Sequence, residues 1–376
     1  MRQAYPKVRR GATVPCGAGA PLAARAERGG TGRGARVGRR RPTGATCGCH
    51  AAPRAPHPLS PCAPQLFKTL KRVDYSTGIY VVLAMFVQIG CAYLVTRPLD
   101  SEWQWWARFL LVAYSIGGIC NHSMTLAMHE ISHDLAGGGL LGKTLGLIAN
   151  APLGIPAYAS FKRYHNEHHK YQGEDGIDSD VPTALEGHVV GTNPFLKTIW
   201  MICQPFFYAL RPLITVGKSP SVMELYNLVF QVAFSTGLAA FCGSDINDPA
   251  TWSAMAPVYL IASTLLGMGL HPMAGHFVAE HYTFVRGQET YSYYGPLNWF
   301  SFWVGYHNEH HDFCNLPGST LRKLRDSTPE FYEDLPVHHS WIKVIWRYIT
   351  SPILSPFSRV RRNTMADDEV AYLRTQ

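Results

Sequence analysis

Eight of the chain's 17 histidines fall in three five-residue windows: His129 and His133; His165, His168 and His169; His307, His310 and His311. Residues three or four apart share a helix face, so each window can aim two or three imidazoles at one point. Neutral imidazole is a ligand for iron, zinc, copper or nickel. One ion takes about four to six donors, so eight converging nitrogens suit two ions. Chance recurrence on a surface is a poor account, because HxxHH occurs twice with Asn-Glu in the same slots, Asn166-Glu167 and Asn308-Glu309. Taken alone, His129-Glu130-Ile131-Ser132-His133 fits the HExxH pattern of zinc peptidases, with the glutamate as general base. The other two windows and the apolar segments around them count against that reading. A metal transporter would need charged or polar groups deep in its spans, and few are found there.

Charged residues make up only 16% of the chain, against roughly 25% in soluble domains. The net charge of +8 is unevenly placed. Residues 1–66 carry 12 Lys/Arg and one acidic residue, Glu27, whereas the remainder has 22 basic and 25 acidic side chains. The basic balance is thus local and gives no support for nucleic-acid binding. Rich in Arg, Ala, Gly and Pro, residues 1–66 hold too little apolar surface to offset their ordering entropy, and disorder is expected. An Arg-rich, acid-poor start is similar to an organelle transit peptide, although Pro and Gly would break its amphipathic helix. There is no apolar core of a secretory signal, and Arg2 in place of glycine excludes N-myristoylation. The nine cysteines include no CxxC pair and suggest neither a disulfide framework nor a Cys-based zinc site.

Four apolar runs predict an all-α integral membrane protein, with transmembrane helices at about 78–96, 105–128, 223–242 and 254–274. Trp103, Trp105 and Trp106 flank the second run as interfacial residues do. His129 follows that run directly. The apolar stretch 140–159 contains Lys143, Asn150, Pro152 and Pro156. If it crossed, the first two histidine windows would lie on opposite sides, so a shared site makes it interfacial or re-entrant. Residues 195–216, interrupted by Pro205 and Pro212, read as a broken surface helix. Four crossings in two hairpins then return residues 276–311 to the side of the first two windows, as a helical cap. Lys162, Arg163, Lys170, Lys218, Arg322, Lys323 and Arg325 fall on that side, which the positive-inside rule makes cytosolic. The domain is expected over residues 67–360, with a disordered tail at 361–376.

Glu130, Glu167 and Glu309 each adjoin a candidate ligand and are expected to accept the ring's other N–H. Asp175, Asp178 and Asp180 would bind a polar headgroup or steer an imidazole. His276 and His281, five apart, both compete for a ninth ligand position. A nitrogen-rich iron pair of this kind could reduce O2 and take hydrogen from an unactivated C–H bond, as an apolar chain in a bilayer requires.

The spacing HxxxH, HxxHH, HxxHH resembles the membrane fatty-acid desaturase and hydroxylase superfamily. The stretch 277–282 is similar to the Asn-Tyr-x-Glu-His-Tyr segment of related alkane hydroxylases, which implies His281 as the ninth ligand. Phe277 stands at the asparagine position, so that residue's supporting role would be unfilled or shift to His276. Residues 121–130, 160–165, 178–183, 267–272, 289–298 and 305–313 look like the sphingolipid Δ4-desaturases. The likeness covers about residues 67–360, with Cys314 in place of a usual proline, and residues 1–66 depart from it. It implies a di-iron site, dihydroceramide and O2 as substrates, and a trans C4–C5 double bond as product. It also implies electrons from NADH through cytochrome b5 reductase and cytochrome b5. The setting would be the endoplasmic reticulum membrane, with the site and both termini cytosolic. C4-hydroxylation to phytoceramide, or both reactions together, is the alternative outcome.

Overall fold

The structure is a computed structural model and describes residues 63–375. Most of the basic extension therefore lies outside the described residues. Among those described, the fold is all-helical, with three isolated bridges and no strand.

Two helices are long and apolar enough to cross a membrane: Ser76–Thr96, and a continuous rod from Glu102 to Ser132. The rod's 31 residues extend about 46 Å, more than the ~30 Å hydrocarbon layer, so one end must project beyond it. A π-helical turn, Ala113–Gly117, interrupts the rod's α-helix. The fourth expected span is a broken one. Met255–Met268 stops at Gly269 and resumes as Pro272–Ala279 after a 44° bend. His271 marks the break, its Nδ1 accepting from Met273 N–H.

The residues expected as the third span form the helix Val222–Phe241. Glu224, Asn227 and Gln231 lie along it, and it is not among the helices apolar enough to cross a membrane. All three point inward. Glu224 accepts from Ser160 Oγ and Arg163, Asn227 Oδ1 accepts from Ala159 N–H, and Gln231 Oε1 accepts from Asn150. The polarity forms an internal seam, satisfied except at Asn227 Nδ2, which is buried without a partner.

The spans are tied by a similar seam. Asn121 Nδ2 donates to Pro152 O, Leu260 O and Thr264 Oγ1, and Gln88 bonds Gly117 O and Tyr259 OH. The rod and Met255–Met268 meet where glycine faces glycine. A Cβ on Gly267 would lie 2.5 Å from Gly118 O. Close approach of this kind replaces the hydrophobic drive that lipid does not supply.

The stretch expected to lie at the interface forms the helix Gly139–Asn150, at about 18 Å too short to cross. Asn150 then turns the chain, its Oδ1 accepting from Ala157 and Tyr158 N–H at 2.7 and 2.8 Å to start the histidine-bearing helix Tyr158–Lys170. The surface helix breaks at Cys203, before Pro205, into Pro194–Ile202 and Gln204–Thr215, while Pro212 sits inside the second piece. The tail differs from the expectation of disorder. Thr364 and Met365 bond Glu174, and the helix Asp367–Arg374 follows, with Arg374 Nε donating to Gly176 O. Polar residues unable to build a core of their own here pack onto the 173–180 loop.

Candidate metal centre

Four segments deliver the histidines. His129 sits in the last turn of the rod and His133 is its C-cap. His165, His168 and His169 share one face of Tyr158–Lys170, and His307, His310 and His311 occupy the short helix His307–Asp312. His281 follows the His276–Ala279 turn. Seven of the nine rings are buried, and His133 and His165 are half-buried.

They form two adjoining groups. Ligand atoms of His129, His133, His165, His169 and His310 lie within 4.8 Å of one another, as do those of His168, His281 and His311. His307 joins the second group, its Nε2 2.9 Å from His281 Nε2. The groups touch through the rings of His169 and His311, stacked at 4.4 Å. Of the two competing histidines, the structure brings in His281. His276 stands outside, its ring against His122 and its Nδ1 3.2 Å from Glu280.

The spacing suits metal ions. His169 Nε2 lies 3.0 Å from both His165 Nε2 and His310 Nε2, and His281 Nε2 lies 3.1 and 2.9 Å from His168 and His307. One N–H can serve only one such neighbour, so a purely hydrogen-bonded cluster leaves lone pairs opposed. Nitrogens about 2.1 Å from a shared ion would stand roughly 3.0–3.4 Å apart. Nε2 of His129 and of His311 are buried with no hydrogen-bond partner, as ligand atoms awaiting a cation would be. Burial pushes His165, His169, His281, His307, His310 and His311 well below the usual imidazole range, and neighbouring imidazoles add to this. His133 is pushed down to about 3. The rings are thus neutral and their lone pairs free.

Of the residues expected to orient the rings, the three glutamates do not and Asp178 does. Glu130 accepts from Gly318 N–H at 3.0 Å, Glu167 pairs with Lys218, and Glu309 accepts from Ser292 Oγ and Tyr294 OH, both at 2.6 Å. None of the three holds a histidine. Helix neighbours project about 100° apart, so a glutamate beside an inward histidine faces away. Asp178 takes the role instead, both oxygens 3.1 Å from His168 Nδ1. Burial alone would depress His168, but the Asp178 carboxylate outweighs it and holds the ring above its ordinary range. Glu280 lies 3.6 Å from His307 Nδ1, and the Gln172 amide meets His281 Nδ1 at 3.1 Å. Asp180 is 3.8 Å from both His168 and Arg359, and Asp175 pairs with Arg361. The three aspartates are therefore committed within the protein rather than open to a headgroup.

Residues 103–343 match the fatty acid desaturase family. The chain belongs to that family. This desaturase is an oxidoreductase similar over most of its length to sphingolipid enzymes. It is 48% identical over 298 residues to the human sphingolipid delta(4)-desaturase/C4-monooxygenase DES2, covering 78% of this chain and 87% of that one. Against the human sphingolipid delta(4)-desaturase DES1 the identity is 44% over 299 residues, covering 79% and 87%. Against the Drosophila melanogaster sphingolipid delta(4)-desaturase DES1 it is 48% over 266 residues, covering 70% and 78%.

Proposed function

We propose that this desaturase converts dihydroceramide to ceramide by introducing a trans C4–C5 double bond. The observation that carries the reading is the convergence of nine imidazoles in two adjoining groups, in a chain whose relatives are named for sphingolipid Δ4-desaturation. His129, His133, His165, His169 and His310 would hold one iron, and His168, His281, His307 and His311 the other. The iron pair, when bound, supplies O2 activation and the removal of hydrogen from an unactivated C–H bond. Two hydrogens leave C4 and C5, and O2 with two electrons and two protons becomes two waters. The electrons come from NADH through cytochrome b5 reductase and cytochrome b5. The protein's own part is to bury the imidazoles and to fix the His168 tautomer through Asp178, whose carboxylate accepts from Nδ1 and leaves Nε2 facing His281. The chain would cross the endoplasmic reticulum membrane four times, with the site and both termini cytosolic.

Expression in a host lacking sphingolipid desaturase, followed by mass spectrometry of its ceramides, tests this. Δ4-unsaturated ceramide should appear with the native chain. It should vanish with His168→Ala or His310→Ala while the protein still inserts. Phytoceramide as sole product would move the assignment to C4-hydroxylation, and an unchanged lipid profile would end it.

A further inference from the structure

A cavity of about 460 Å³ runs between Ser76–Thr96, the rod and the loop 299–303. Its volume is that of a small-molecule site. Along the rod its wall extends from Ile116 to Glu130, about 21 Å at 1.5 Å per residue.

The two ends differ in chemistry. Toward Leu83, Val87, Ile116 and Ile119 the wall is apolar, and the first three side chains are exposed on the outer face of the spans. At the other end stand Asp74, Ser76, Thr77, Ser319 and Glu130. Glu130 is 2% exposed and held by a single backbone N–H, from Gly318. Asp74 accepts from Ser319 Oγ and from Ser76 N–H. No Lys or Arg is among the described residues that line the cavity. Asp74 and the three hydroxyls offer hydrogen-bond acceptors to a neutral head, and no lining cation is there to pair with a phosphate or carboxylate.

The third wall is strained. Phe302 and Trp303 both line the cavity, at φ of 51° and 63°, where aromatic residues rarely sit. Their conformation is held by Trp303 N–H donating to Asn298 O, by Ser123 Oγ donating to Phe300 O and by Gly318, whose missing side chain leaves room for the Phe302 carbonyl. Strain so maintained is characteristic of ligand clamps.

We propose that this cavity is the substrate site, and that it takes a neutral lipid whose head carries hydroxyl and amide N–H donors. The head lies at Asp74 and Glu130, and one chain runs along the rod toward Ile116. The inference rests on the sphingolipid reading above and adds where and how the lipid is held. C4 and C5 of a sphingoid base adjoin the polar carbons C1–C3, so the head must bind toward the metal end of the rod. There Glu130 stands in the turn that carries His129, with its carboxylate on Gly318. A lipid cut deep in its chain would need the opposite arrangement.

Photo-crosslinking of the full native chain in lipid nanodiscs tests the site. The probe is dihydroceramide with a diazirine midway along the sphingoid chain. Saturable label on peptides containing residues 83–87, 116–124 or 299–303 is expected, with dihydroceramide competing at least tenfold better than dihydroceramide 1-phosphate. Saturable label confined elsewhere would overturn the site while leaving the sphingolipid reading intact. An absence of saturable label would count against both. In a parallel assay, Ala84→Trp should raise KM at least tenfold with iron content and kcat little changed. Asp74→Lys should narrow the gap between the neutral and phosphorylated competitors. Equal competition in the native chain, or unchanged KM in a correctly loaded Ala84→Trp protein, would also overturn it.

Discussion

Asp178 binds His168 through both carboxylate oxygens and is itself held by Gly173 N–H at 2.6 Å and by Arg359. Such outer partners are worth about 10–100-fold in metal affinity. Asp178→Asn should therefore lower iron affinity by about that factor, read as iron retained by the purified protein against a graded chelator. Glu309→Gln should leave retention unchanged, because Ser292 and Tyr294 occupy that carboxylate rather than a ring. Equal loss in both variants would refute the assignment of roles. The ligands were legible in the sequence because three- and four-residue spacings map directly onto a helix face. Their orienting partners were legible only in part: Asp178 was a candidate among three aspartates, and its pairing with His168 was not. Asp178 reaches His168 through the loop beginning at Gly173, whose φ of 76° no periodicity announces. Glu280 did carry a signal: it lies four residues after His276 and meets it at 3.2 Å.

The helices were readable as apolar runs, but their crossings were not. Hydropathy marks what faces lipid and says little about which spans touch. At the contact of the rod with Met255–Met268, Gly118 and Gly267 let two backbones approach, and Ser263 and Tyr259 press on Gly117. Gly267→Leu should cost about 1–3 kcal/mol or more through overpacking, seen as a lower unfolding temperature in detergent. Gly237→Leu, where a Cβ meets nothing within 4 Å, should be close to neutral. The internal polarity of Val222–Phe241 explains why that span is marked weakly by composition. Asn227 and Gln231 bond other protein segments, so the helix is amphipathic with its polar side turned inward. Gln231→Leu would leave one Asn150 N–H and the Ala151 carbonyl without this side chain as partner and should cost about 1–3 kcal/mol, measured the same way.

At the scale of the molecule, the convergence of the histidines restricts the proposed topology to even numbers of crossings between them. Residues 129–133, 165–169, 281 and 307–311 meet in one place, so every segment joining them crosses the membrane an even number of times. Between His133 and His165 the short helix Gly139–Asn150 leaves zero as the only choice. Between His169 and His281 lie Val222–Phe241 and the bent Met255–Ala279 pair, which allow two. On the proposed four-crossing topology, the turn between these helices lies across the membrane from the histidines. Its Asp245 and Asp248 cap local backbone N–H groups and face solvent. A cysteine introduced at Asn247 should react with a membrane-impermeant maleimide only after microsomes are opened. One introduced at Thr192, between the second histidine window and Val222–Phe241, should react in sealed vesicles. The native cysteines would first be replaced by serine or alanine, with retained iron checking that the fold survives. Reaction of both positions in sealed vesicles would leave Val222–Phe241 and Met255–Ala279 lying on the surface. The chain would then have a single hairpin in the bilayer, with its metal centre unchanged.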